Sequence, residues 1–179
     1  MAQYKAMAPG VEVNGQTVLS VIDAMSFKKR ALQILAENGI VDPKPDMWYS
    51  QQNWLNAFKI IGEEIGPAVL YSIGRAIPEN AKFPPEIDSI EKALSVIDVA
   101  YHMNHRKGEI GHYKIDKISE NSVTMICKNP YPCDFDRGII EAMAKKFKPN
   151  ASTIVKVTHD DSAPCRKSGA NSCSYLVKW

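Results

Sequence analysis

Apolar residues recur at helical spacing through the N-terminal half of this chain and switch to strand alternation after Gly108. Phe27, Ala31, Ile34 and Leu35 form a stripe that predicts a helix over 26–38, stopped by Gly39. Ser50 is placed to cap a second helix with Trp54, Phe58, Ile61 and Ile65 inward. Gly66-Pro67 breaks that helix and opens another, with Val69, Leu70, Ile73 and Ile77 on its buried face. Pro78 to Pro85 reads as a loop, and Ile87, Ile90, Leu94, Ile97 and Tyr101 predict a long helix over 86–104. Residues 1–15 carry no stripe and read as a loose arm, with a short strand over 11–13.

Beyond Gly108, the stretches 110–118 and 122–127 alternate as two strands joined at Ser119–Asn121 in a hairpin. Ile139, Ile140, Met143 and Phe147 predict a helix over 134–147, and 153–159 and 173–179 read as two further strands. The expected fold is a single α+β domain over 1–179: a loose arm at 1–15, a mainly helical part at 16–105, and a ββαββ unit at 106–179. The helical half is expected to pack on a small antiparallel sheet.

Composition narrows the function. The 22 basic and 20 acidic residues leave a net charge of +2, which makes no electrostatic case for nucleic acid. No apolar run reaches the length of a membrane span, and the first residues lack the apolar core of a signal peptide. A cytoplasmic chain is expected, in which thiols stay reduced and a disulfide framework is disfavoured.

The four cysteines then suggest metal. Side chains two apart on a strand share a face. Cys173 therefore joins Tyr175, Val177 and Trp179 on the core row, Cys127 joins Val123 and Met125, and His159 joins Val155 and Val157. Cys133 stands at a helix mouth and Cys165 in the loop before the last strand. Cys133, Cys165 and Cys173 are the preferred zinc ligands, with Cys127, His159, Asp160 or Asp161 as the fourth. Four protein ligands close the coordination sphere, which makes such a site structural. Free cysteine also serves as a small buried hydrophobe, the plain alternative for Cys127 and Cys173.

The ending Cys165-Arg-x-x-Gly-Ala-x-x-Cys173-x-Tyr-x-Val-x-Trp179 resembles the C-terminal signature of the four-vinyl-reductase domain family. That family shares a superfamily with haem nitric-oxide-binding domains and TRAPP subunits. The resemblance covers about 86–179 well and the helical half in outline. It implies small-molecule sensing, and zinc on Cys165, Cys173 and Cys133. Relatives place a Glu three residues before the first cysteine of the pair, where this chain has Ser162. The resemblance further implies a pocket between the helices and the sheet, lined by Trp54, Phe58, Tyr71, Tyr101 and His102. Arg75 and Arg106 are candidate anchors for an anion.

A haem alternative rests on His102, four residues after Asp98 and three before His105. This context resembles the proximal histidine region of haem nitric-oxide-binding domains. Those domains also carry a Tyr-x-Ser-x-Arg motif that clamps the propionates. The stretch taken as corresponding, Cys127–Tyr131, holds no arginine. A cysteine is the other candidate haem ligand. No nucleophile elbow, P-loop or dinucleotide fingerprint is present. Cys133 before Asp134-Phe135-Asp136 at a helix start is the one enzyme candidate, since a helix dipole lowers a thiol pKa. The leading expectation is a zinc-stapled domain that senses a small, largely apolar molecule and signals as a homodimer or to an effector protein in trans. A haem-based gas or redox sensor is the alternative, and a thiol-dependent enzyme centred on Cys133 the second alternative.

Overall fold

The computed structural model describes residues 3–83 and 86–179. Strand β1 (Glu12–Asn14) leads directly into helix α1 (Gly15–Ala24), followed by α2 (Lys28–Glu37), β2 (Trp48–Ser50), α3 (Gln51–Glu64), α4 (Pro67–Asn80) and α5 (Ile90–Met103). Then come β3 (His105–Arg106), β4 (His112–Ser119), β5 (Ser122–Lys128), α6 (Cys133–Lys146), β6 (Lys156–His159) and β7 (Cys173–Lys178). This is the expected α+β class.

The short strand expected over 11–13 is present as β1, but the arm that carries it is not loose. β1 is the central strand of a three-stranded antiparallel sheet in the order β2-β1-β3, with Val13 opposite both Tyr49 and His105. Its pairing partners lie far away in sequence, so the local pattern announces the strand but not the sheet it joins. Helix α1 was also unforeseen. Its buried face mixes Thr17 and Ser20 with Val18 and Val21, which hides the stripe. Asn14 caps it, the side chain accepting the Gln16 N–H at 2.9 Å. Phe27 and Ile65, assigned to buried stripes, are instead exposed beyond the helix ends. α4 continues through Pro78 rather than stopping before it. A proline in the last turn forfeits one hydrogen bond, to the Gly74 carbonyl. α5 starts at Ile90, where the Ser89 hydroxyl accepts the Lys92 N–H at 3.2 Å, rather than at residue 86. Of the predicted 78–85 loop, Pro84 and Pro85 lie outside the described residues.

The C-terminal half follows its pattern closely. β4-β5-β7-β6 forms an antiparallel sheet, and one face carries Val123, Met125, Cys127, Cys173, Tyr175, Val177 and Val157 into the core. The register sets Cys127 opposite Cys173 and Met125 opposite Tyr175. Helix α6 lies across this face and packs on α4 from its other side, with α5 against α6 and β4.

Helices α4 and α6 touch backbone to backbone. A Cβ on Gly74 would meet the Phe135 carbonyl oxygen at 2.1 Å, and one on Gly138 would meet that of Tyr71 at 2.2 Å. Gly→Ala inside a helix ordinarily stabilises by about 1 kcal/mol. Here the sign reverses: Gly74→Ala is expected to destabilise by about 1–3 kcal/mol through overpacking. Urea unfolding measures it, and an unchanged or raised midpoint would refute the close contact.

Candidate functional site

The residues singled out in the sequence fall mainly at a thiol cluster at one end of the sheet and around a cavity between the helices and the sheet.

The cluster is assembled by four elements. Cys133 opens α6, Cys173 opens β7, His159 closes β6, and Cys165 precedes a short turn over Arg166–Ser168. The sulfurs of Cys133 and Cys173 lie 3.0 Å apart, and that of Cys165 is 3.6 Å from each. All four cysteines are free thiols. Sulfurs on one tetrahedral ion at 2.3 Å stand about 3.8 Å apart. A His159 ring nitrogen lies within 4.8 Å of all three sulfurs. Its Nδ1 is paired with Asp161 at 2.8 Å, while its Nε2 is buried with no hydrogen-bond partner. Further donors face the sulfurs: Gln3 Nε2 at 2.9 Å from Cys133, and Arg166 Nε and N at 3.2 and 3.4 Å from Cys173.

Among the candidate fourth ligands, His159 comes into reach. Asp161 orients it, as carboxylates commonly orient ligating histidines. Asp160 accepts from the Ser162 hydroxyl and backbone N–H instead. Cys127 is fully buried beside Cys173 but outside the cluster. Cys133 stands at a helix mouth, yet its place in the cluster reverses the lowered pKa expected there. Its hydrogen bond with Cys173, together with burial, pushes Cys133 up, and the same bond, aided by Arg166, holds Cys173 down.

Behind the cluster lies a buried ion pair. Arg166 bonds Asp136 and both oxygens of Asn129, and Arg166 and Asp136 have no exposed side-chain surface. Tyr113 donates to the other Asp136 oxygen at 2.5 Å. Burial pushes the Asp136 carboxyl up, and Arg166 opposes it. Sequence reading missed this pair. Arg166 stood in the quoted motif without a role, and nothing local ties it to Asp136.

The cavity measures about 40 Å³ and is walled by Trp54, Ile77, Ile97, Tyr101, His105, Tyr113, Tyr131 and Phe135, among others. Of the predicted lining, Trp54 and Tyr101 belong to it. Phe58 packs behind it against Trp54 and Phe135, and Tyr71 lies on the far side of α4 beneath Arg137. Arg75 lies 5.9 Å from the same Tyr71 ring, and Arg106 pairs with Glu12 over Trp48, so neither faces the cavity. His102 points outward, half exposed, with Nδ1 at 2.8 Å from the Asp98 carbonyl. The histidine that reaches inward is His105, one turn later than expected. Its Nδ1 meets the Tyr101 carbonyl at 2.8 Å, and its Nε2 meets the Tyr131 hydroxyl at 2.7 Å. The carbonyl can only accept, so Nδ1 carries the proton and Nε2 accepts from Tyr131. Tyr131 in turn accepts from Gln51 Nε2 at 3.2 Å. The Trp54 indole N–H and Gln51 Oε1 are buried without partners.

No protein-family profile matches this sequence, and no curated protein matches it. Solved structures do match. Among them are haem nitric-oxide/oxygen-binding (H-NOX) proteins. One from S. oneidensis, in the Fe(II) ligation state, is 13% identical, with 92% of this chain and 95% of that one covered and a TM-score of 0.66. An oxygen-binding H-NOX domain related to soluble guanylate cyclases is 16% identical over 92% and 91%, at 0.64. A K. algicida H-NOX protein is 13% identical over 92% and 95%, at 0.62. At these identities the likeness establishes the fold, which is the H-NOX fold. It agrees with the expected α+β fold and goes no further: neither the expected superfamily nor four-vinyl-reductase membership follows from it.

Haem does not fit the cavity as these residues fill it. A pocket for a ligand of drug size has a volume of about 300–1,000 Å³. The rings of Trp54, Phe58, Tyr131 and Phe135 occupy the space, with centroids 4.7–6.1 Å apart. The only free nitrogen of His105 is taken by Tyr131. Started at Tyr131, the propionate motif has Cys133 and the core residue Phe135 at its later positions, and the buried Arg166 is already held by Asp136.

Burial lowers the His105 pKa from 6.5 to about 4. Between those values the unfolded chain binds more protons than the folded one, so stability should fall as pH drops from 6.5 to 4. The full loss is on the order of 3 kcal/mol. His105→Gln should flatten this window in urea titrations, and an equal pH slope in the variant would contradict it. Arg166→Met should cost about 3–5 kcal/mol by stranding the Asp136 carboxylate. A midpoint within error of the parent would refute that.

Proposed function

We propose that the chain is a sensor domain on the H-NOX fold that takes a small, largely apolar molecule into the cavity beside Trp54, Tyr101, His105 and Tyr131. Zinc on Cys133, Cys165, Cys173 and His159 staples α6 to the sheet beneath it. The observation that carries the ligand reading is the cavity itself, whose exposed wall is apolar and is formed by residues such as Trp54, Ile97, Tyr101 and Phe135. A water needs about 10–15 Å³, and an engineered cavity of about 150 Å³ holds benzene. A cavity of 40 Å³ therefore suits a ligand of a few heavy atoms. Output passes to an effector protein in trans or across a homodimer.

The zinc reading is supported by the donor set: three sulfurs and a partnerless imidazole nitrogen, with Asp161 behind the ring. Zinc would supply a closed tetrahedral centre with no catalytic position. The solved neighbours lend it nothing. They favour a second reading, haem-based gas sensing, because they are Fe(II) and oxygen-bound H-NOX proteins. That reading needs His105 freed from Tyr131 and the aromatic cluster opened, so it stands second.

Metal analysis and a visible spectrum of the purified chain separate the two. About one zinc per chain without a Soret band is expected, with the zinc lost in Cys173→Ser. A Soret band that disappears in His105→Ala would replace the first reading with the second.

A further inference from the structure

Outside the cavity wall lies a second set of donors. Asp98 and His102 stand four apart on α5 and so share a face, and His112 approaches from the first position of β4. One carboxylate oxygen and one nitrogen from each ring lie within 4.8 Å of one another. The His102 and His112 rings are nearly parallel, at 28° with centroids 5.6 Å apart. His102 Nδ1 is 3.7 Å from one Asp98 oxygen, and His112 Nδ1 is 3.9 Å from the other. The carboxylate is already oriented, because the Tyr113 backbone N–H donates to it at 2.8 Å.

We propose that Asp98, His102 and His112 form a cation site for a divalent transition ion of the zinc, nickel or copper class. Donors on one tetrahedral ion at about 2.1 Å stand about 3.4 Å apart, so the three donors, now within 4.8 Å of one another, complete the site by closing in through side-chain rotation. Two imidazoles with one carboxylate favour such ions over magnesium or calcium, which prefer all-oxygen sets. The Asp98 carbonyl now holds His102 Nδ1, and an ion there exchanges that hydrogen bond for a metal bond. Three protein donors leave the remaining positions to water.

The placement gives the site a consequence. Each donor is the sequence neighbour of a cavity-wall residue: Asp98 of Ile97, His102 of Tyr101, His112 of Tyr113. Tyr101 and Tyr113 meet edge to face at 5.2 Å across the junction of α5 and β4. An ion on the outer face clamps that junction and stiffens the wall. This site is independent of the thiol cluster, with which it shares no residue.

Titration of the full, tag-free chain with Co²⁺, followed by absorption and calorimetry, tests it. Cobalt on thiolates gives intense near-ultraviolet charge transfer, whereas cobalt on nitrogen and oxygen gives only weak visible bands. The expected result is a weak-band cobalt whose affinity falls by about 10–100-fold or more in His102→Ala and His112→Ala. Asp98→Asn, which keeps an oxygen acceptor for Tyr113, should weaken it too. Unchanged affinity in all three variants, or no weak-band cobalt in the parent, overturns the proposal. Loss of the charge-transfer cobalt alone would count against the zinc staple and leave this site standing.

Discussion

The contact between Arg166 and Asp136 organises the end of the sheet where the thiols meet. One guanidinium, shut away from water, reaches α6 through Asp136, the loop after β5 through Asn129, and the start of β7 through the Cys173 sulfur. Tyr113 ties β4 to the same carboxylate. Two charges out of water are tolerated only when the remaining donors and acceptors are filled, and here the carboxylate takes Arg166, Tyr113 and Asn129 together. The pair fixes the loop that carries Cys165, because Arg166 follows it directly. The sulfurs converge because the loop is pinned at its neighbour.

The same logic explains what the chain reveals to a reader. Helices α3 to α6 and strands β4 to β7 were legible because each buries one regular face, as in Trp54, Phe58 and Ile61, or Val123, Met125 and Cys127. The sheet around β1 and the helix α1 were not legible, although the short strand itself was. One depends on partners far away in sequence, and the other buries Thr17 and Ser20 within its stripe. At the site, Cys133, Cys165 and Cys173 stood out as residue types, and strand parity placed Cys173 correctly on the core row. The choice of His159 over Cys127 depends on where β6 ends beside β7, which spacing cannot supply. His102 and His105 differ by three positions, and only the packing of α5 decides which one faces inward.

The H-NOX fold and the contents of its cavity point in different directions. The architecture matches haem proteins across nearly the whole chain. The space between the layers is instead filled by aromatic rings, and His105 is closed off by a tyrosine. A fold sets where a cavity lies, and side chains set what it can hold. In this chain the space left open is about 40 Å³ with an apolar wall, which suits a small apolar molecule more than a macrocycle.

The glycine contact between α4 and α6 also has a mechanical side. Two helices that meet through bare backbone at Gly74 and Gly138 cannot slide past one another without collision, so they travel as one slab. Any breathing of the cavity then falls to its opposite wall. α5 is that wall, seated on β4 and α6 through side chains such as Tyr101 and Ile97 rather than through main chain. Traffic into the interior would thus be governed by how freely α5 rocks against a fixed floor.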